Sequence, residues 1–147
     1  MISKKRMDAL IPKAIDVIRE METREKSFFI WENRGATEVR TNFISKTYHG
    51  YFSSFGADMI NSTPLAAIIF FEESTGGIEK RSLIPLSILN LIRKENSVTE
   101  APETMKKLSS YYTRDTRKME NIAAAAAALK IALRTFPQPK SNEDERE

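Results

Sequence analysis

His49 is the one histidine in a chain of 147 residues, and there is no cysteine. Those two facts bound the chemistry before any element is placed. No thiol nucleophile, disulfide frame or zinc–thiolate site can be built, and no pair of histidines can hold a metal. A Ser–His–Asp set can be written from His49, Ser53 and Asp58. All three fall within one expected helix, where nothing places oxyanion donors beside the nucleophile. Glu72 and Glu73 are adjacent and so point to different sides of a helix. Asp115 and Glu120 are interspersed with Arg114, Arg117 and Lys118, the pattern of a solvated, salt-bridged face. No acidic group has the spacing of a Mg²⁺ site, and Gly76-Gly77 forms a turn, with neither a P-loop nor a three-glycine fingerprint around it. The expectation is a protein with no catalytic residues, no metal site and no cofactor.

What remains is positive charge near small and aromatic side chains. Arg40, Lys46 and His49 are spaced i, i+6 and i+9 along an expected second helix, on its polar side. Lys130 and Arg134 form an i,i+4 pair after a run of alanines, and Lys13 lies on a flank of the first helix with Arg6 and Glu20. Such side chains can neutralise phosphates on a sugar–phosphate backbone, which supplies affinity without reading sequence. The plain alternative is ordinary solvated surface, paired with Glu38 and other acids. The formal charge of +3 understates the basic character. The segment Lys140–Glu147 has two bases and four acids, which leaves residues 1–139 at +5. Residues 1–50 carry +3 and residues 102–139 carry +4, while residues 51–101 carry −2. A basic surface of this kind favours a nucleic-acid or acidic partner.

Length and composition predict one domain over residues 1–139 and a disordered acidic tail over 140–147. No apolar run approaches the roughly 20 residues needed to span a bilayer. The N-terminus is basic and then apolar, but Asp8, Lys13 and Asp16 interrupt it, so a cytoplasmic address is expected over secretion.

The elements that must position the basic residues are predicted to be helices throughout. Met7, Leu10, Ala14, Val17 or Ile18, and Met21 give an apolar stripe for a first helix over Lys4–Thr23. Pro12 within it implies a start near Ile11 or a kink. Glu25–Ala36 is expected to be a connection whose aromatics, Phe28, Phe29 and Trp31, dock on the body. Thr37 can N-cap a long second helix, Glu38–Ile60, with Val39, Phe43, Tyr51, Phe55 and Met59 on one ladder and Thr47 filling its middle. Gly50 and Gly56 inside it suggest close helix contacts or a break. Asn61-Ser62-Thr63-Pro64 signals a stop, a turn, an N-cap and a proline at the first helical position. Pro64–Glu73 is apolar all round and is expected at the centre of the fold. Ile78–Lys94 is a further helix, with a hairpin over residues 68–84 as the open alternative. Asn96–Pro102 is a polar linker, Glu103–Tyr112 a short helix and Thr113–Thr135 the last helix, driven by Ala123–Ala128 and ended by Pro137 and Pro139. The fold class predicted is all-α, a single-domain antiparallel bundle of about six helices.

Three blocks of this chain resemble the small, all-helical subunit of the Cmr (type III-B) CRISPR effector complex. KKRMDALIPKAIDVI is similar to that family's first helix. KTYHGYFSSFGADMINS, leading to LAAIIFF, is similar to its aromatic–Gly–Ser–Phe–Gly segment, and AAAAALKIALRTFPQ to its closing helix. The chain departs from the pattern at Thr63-Pro64-Leu65, where a glycine–leucine pair is usual, and in FFIWENRGA and the acidic tail. The resemblance implies a non-catalytic subunit that stacks in copies along a ribonucleoprotein with the other Cmr subunits. It implies contact with the backbones of guide RNA and target RNA, with cleavage on neighbouring subunits and no membrane. Lys46, Lys130 and Arg134 fall in the matching blocks and are carried over as RNA-backbone contacts. Arg40 and Lys13 join them on charge and helical position alone. The alternative is a helical protein–protein interaction module of another assembly, and a small helical enzyme relying on His49 is a third reading.

Overall fold

A computed structural model describes residues 2–73, 80–96, 105–112 and 114–138. The expected turn at Ser74–Gly77, most of the Asn96–Pro102 linker, Pro139 and the acidic tail 140–147 lie outside the described residues.

The first helix, α1 (Lys4–Glu20), begins where Ser3 accepts a hydrogen bond from the Arg6 amide at 3.0 Å, satisfying one of the free donors of the first turn. It runs unbroken, with Pro12 on its exposed side and Leu10, Ala14, Val17 and Ile18 buried.

A hairpin after α1 overturns the prediction of an all-α bundle. Phe29–Arg34 (β1) and Thr37–Ile44 (β2) pair antiparallel, with Trp31 opposite Arg40, Glu32 opposite Val39 and Arg34 opposite Thr37. The protein is therefore mixed, with six helices and a two-stranded sheet among the described residues. The physical reason is local. Gly35 has φ +66°, so Gly35-Ala36 makes a two-residue turn with the backbone sign that strand twist requires at its first position. Val39, Thr41 and Phe43 alternate with Glu38, Arg40 and Asn42, a period of two that suits a strand. Val39 and Phe43 therefore do not belong to the ladder of the second helix, and Phe43 is exposed.

The second helix is α2 (Thr47–Asn61), which starts nine residues later than a Thr37 cap would place it. It buries Tyr48, Phe52, Phe55 and Met59. It is continuous through Gly50 and Gly56, and a Cβ built on either meets nothing within 4 Å. Neither glycine marks a close helix contact or a break. Thr63 caps α3 (Pro64–Glu72) by accepting from the Ala66 amide at 3.2 Å, with Pro64 in the first turn as predicted. This helix is not central. Ala67, Ile68 and Phe71 are buried, but Leu65, Ile69 and Phe70 are exposed, and the Arg81 guanidinium lies 4.3 Å from the centre of the Phe70 ring. The next helix, α4 (Leu83–Asn96), is entered through a first turn containing Pro85. With Ile68–Glu72 and Leu83–Ile84 both helical, the hairpin alternative for residues 68–84 falls.

A short α5 (Leu108–Tyr111) precedes α6 (Thr116–Leu133), which is capped by Asp115 accepting from the Arg117 amide at 2.8 Å. α6 is the central element, packed against α1, α2 and α4. Ala124, Ala125, Ala128 and Ala132 are buried beside Ile122, Leu129 and Leu133. Each of those larger side chains contributes about 2 kcal/mol on burial, and the alanine methyls let neighbouring backbones come close.

One polar chain crosses this core. Arg6 donates to both carboxylate oxygens of Glu95 at 2.9 Å and to Asn121 Oδ1 at 2.8 Å, and Asn121 Nδ2 donates to the Tyr111 hydroxyl at 2.9 Å. The hydrogen bond to Glu95 raises the Arg6 pKa above its ordinary value. Lys94 reaches Glu20 at 3.1 Å, so both ends of α1 are tied to the end of α4.

Arg6→Ala leaves Glu95 and Asn121 short of a donor and should cost about 2 kcal/mol, seen as a lower urea midpoint at unchanged m-value. Gly50→Ala and Gly56→Ala should each raise stability by about 0.5–1 kcal/mol in the same measurement, because helix propensity improves and no contact opposes the added methyl.

Candidate polyanion-binding site

The start of α2 and the end of α6 are brought together by the base of the hairpin. The Ile44 amide, at the end of β2, donates to the Pro137 carbonyl at 3.0 Å, and the Phe29 and Phe136 rings meet edge to face at 5.3 Å. Ile44 is two residues before Lys46, and Pro137 is three residues after Arg134. The clamp therefore places the first turn of one helix beside the last turn of another.

Lys46 occupies the N-cap position of α2 and is exposed. Its carbonyl accepts from the His49 amide at 3.1 Å, so Lys46 and His49 are neighbours on one turn. His49 is half-buried, and its Nε2 is fully buried with no hydrogen-bond partner. It therefore bonds through Nε2 to neither Ser53 nor Asp58, and the triad written from sequence is not assembled. Lys130, in the last turn of α6, and Arg134, its C-cap residue, both act on His49. Burial pushes the His49 pKa down from its ordinary 6.5, and the positive charges of Arg134 and then Lys130 lower it further. Lys130 is half-buried and Arg134 exposed, next to helix carbonyls that favour cations. None of Lys46, Lys130 and Arg134 has an ion-pair partner among the described residues.

Of the five basic residues singled out from sequence, Lys130 and Arg134 act on His49, and Lys46 opens the turn of α2 that carries it. Arg40 does not join them. It lies on β2 and not on a helix, its guanidinium 4.3 Å from the centre of the Phe29 ring, and it donates to the Arg19 carbonyl at 3.1 Å. That commits it to bracing the hairpin against the end of α1. Lys13 is half-buried on α1, with no contact tying it to the His49 group. Glu38 pairs with Arg24 and takes no part. His49 itself belongs to the site: the sequence groups it with Lys46 on the polar side of the second helix, although it is not among the five residues put forward as RNA-backbone contacts. Its i,i+3 spacing from Lys46 is the signal that points there.

Among the described residues no group of three or more His, Asp or Glu side chains could hold a metal ion. No helix among them is long and apolar enough to cross a membrane. The larger cleft, about 780 Å³, lies between Glu20–Lys26 and the α4–α5 region. It mixes Glu20, Glu22, Glu25 and Glu72 with Lys26, Lys80, Arg93 and Lys106, so no single charge converges there. At His49, by contrast, the charges that act are the cations Arg134 and Lys130, and neither has an ion-pair partner among the described residues. No protein-family model, curated protein or solved structure matches this chain.

Keeping His49 neutral ties stability to pH. The unfolded chain takes up this proton near pH 6.5 and the folded chain only at lower pH, so stability is fully present above 6.5 and is lost as the pH falls from 6.5 towards the folded value. Thermal melts at pH 7.5 and 5.5 should show a lower midpoint at 5.5, with the difference reduced in His49→Gln.

Proposed function

We propose that this protein is a non-catalytic subunit of a cytoplasmic ribonucleoprotein, contacting RNA through its phosphates. The resemblance of three sequence blocks makes a type III-B CRISPR effector, with its guide and target RNA, the specific assembly proposed. The observation that carries the RNA reading is that the end of α6, with Lys130 and Arg134, meets the first turn of α2, which Lys46 opens, while none of the three cations has an ion-pair partner among the described residues. Two or three such cations neutralise adjacent phosphates and release their counterions, which gives affinity indifferent to base sequence. Base pairing between guide and target then carries the sequence information. The β1–β2 hairpin is no part of the all-helical pattern that the resemblance implies, so the charge cluster supports the RNA reading more than the family likeness does.

A second reading is favoured by a different observation. Leu65 and Ile69, one turn apart on α3, are exposed with Phe70, and Ile60 at the end of α2 is 81% exposed. An apolar surface of this kind suits a protein neighbour. A subunit stacked on further copies would use both surfaces, whereas a protein-interaction module would use this one alone.

Binding of single-stranded RNA measured against salt concentration separates the two. The slope of log affinity on log salt should fall by about one for each phosphate contact removed as Lys46, Lys130 and Arg134 are changed to Ala. A slope unchanged in the triple variant would refute this RNA surface. Negligible RNA binding at physiological salt, with a protein partner co-purifying, would favour the interaction module.

A further inference from the structure

We propose that this anion site takes up a proton at His49 when a polyanion binds, so that its affinity rises as the pH falls. The inference rests on the RNA-backbone reading for the identity of the polyanion. For the proton it rests on the buried Nε2 of His49, which no acceptor or donor satisfies, in the first turn of α2 that the Ile44–Pro137 and Phe29–Phe136 contacts hold beside the end of α6. Lys130 and Arg134 of that end act on the ring, and Lys46 opens its turn. No acid on the elements packed against α2 acts on His49, and Glu73, at the end of α3, is exposed. Glu72 of α3 accepts from the Ser109 amide at 3.1 Å, and Glu95 of α4 is held by Arg6. Glu120 lies ten residues before Lys130 on α6, and Asp58 is nine residues beyond His49 on α2. Without ligand, then, the charges that act on His49 are cations, and with burial they hold its pKa below the ordinary 6.5.

A bound polyanion reverses the sign of that field. Phosphates seated on Lys130 and Arg134 cancel the charges that oppose the imidazolium and add negative charge close to it, so the protonated ring becomes a further cation of the site. By linkage, an anion that draws a proton onto His49 binds more tightly wherever the proton is already present. Affinity gains up to about tenfold per pH unit between the His49 pKa values of the bound and free protein. Because His49 is the one histidine, no other side chain with an ordinary pKa between 5.5 and 7.5 obscures the effect.

The test is an NMR titration of the His49 ring in the full chain between about pH 5 and 8, the range in which an imidazole changes charge. It is run without ligand, with a twenty-residue oligouridylate, whose bases do not titrate there, and with heparin. The pKa is expected to rise in the presence of oligouridylate. Oligouridylate affinity should be several-fold greater at pH 5.5 than at 7.5, with that ratio reduced towards one in His49→Gln. Binding of oligouridylate with an unmoved His49 titration and no pH dependence overturns the proton linkage and leaves the RNA reading standing. No oligouridylate binding, with the His49 pKa raised by heparin, overturns the RNA reading and keeps a proton-linked anion site. A ring unmoved by either polyanion overturns the proposal, and this wild-type measurement holds even where His49→Gln fails to fold.

Discussion

Close approach of three helices to α6 is the contact around which the fold is arranged. Ala124, Ala125, Ala128 and Ala132 present methyl groups to the surrounding helices α1, α2 and α4, and all are buried. A methyl side chain loses no rotamer freedom on burial and favours the helix more than any other residue. The same residues thus form the element and make room for its neighbours. Larger side chains at these four positions would force the surrounding helices apart or into strained rotamers. Ile122, Leu129 and Leu133 then supply the apolar bulk that alanines lack.

A close apolar contact of this kind fixes distance better than it fixes register. Register is added by the polar chain from Glu95 through Arg6 and Asn121 to Tyr111, which links α4, α1, α6 and α5 by hydrogen bonds of fixed geometry. Each member is satisfied by the next, so the burial of polar atoms is compensated. At the opposite end of α6 the hairpin base performs a similar task. The Ile44–Pro137 hydrogen bond, the Phe29–Phe136 contact and Arg40 between Phe29 and the Arg19 carbonyl hold the chain where α6 ends. Arg40 is thereby committed to packing, while Lys46, Lys130 and Arg134 have no ion-pair partner among the described residues.

Electrostatic logic connects that surface to function. Lys130, Arg134 and a histidine whose pKa burial lowers form a site whose charge no ion pair among the described residues compensates. Such a field costs stability in the free protein and is relieved by an anion. Sites of this kind have binding, rather than packing, as the simplest physical reason to persist.

How much of this is legible in the sequence differs by element. The N-cap and proline at Thr63-Pro64, the alanine helix and the stripe of α1 are set by interactions within a few residues, so their spacing alone predicts them. Residues 38–44 read as helix because Val39 and Phe43 fit a helical ladder with Tyr51 and Phe55 as well as they fit a strand. The two-residue turn at Gly35 and the docking of Phe29 and Ile44 onto the C-terminal segment tip the balance, and that docking exists only once distant parts of the chain have met. The exposed side of α3 is equally hidden, since an all-apolar helix carries no sign of which neighbours it lacks. For the site, composition and local spacing supply the inventory: one histidine, no cysteine and a basic pair at the end of the alanine helix. Which of those charges meet is settled by the fold. Packing joins the first turn of α2, with His49, to the end of α6, with Lys130 and Arg134, and diverts Arg40, because proximity between elements is set by how they pack and not by their spacing in sequence.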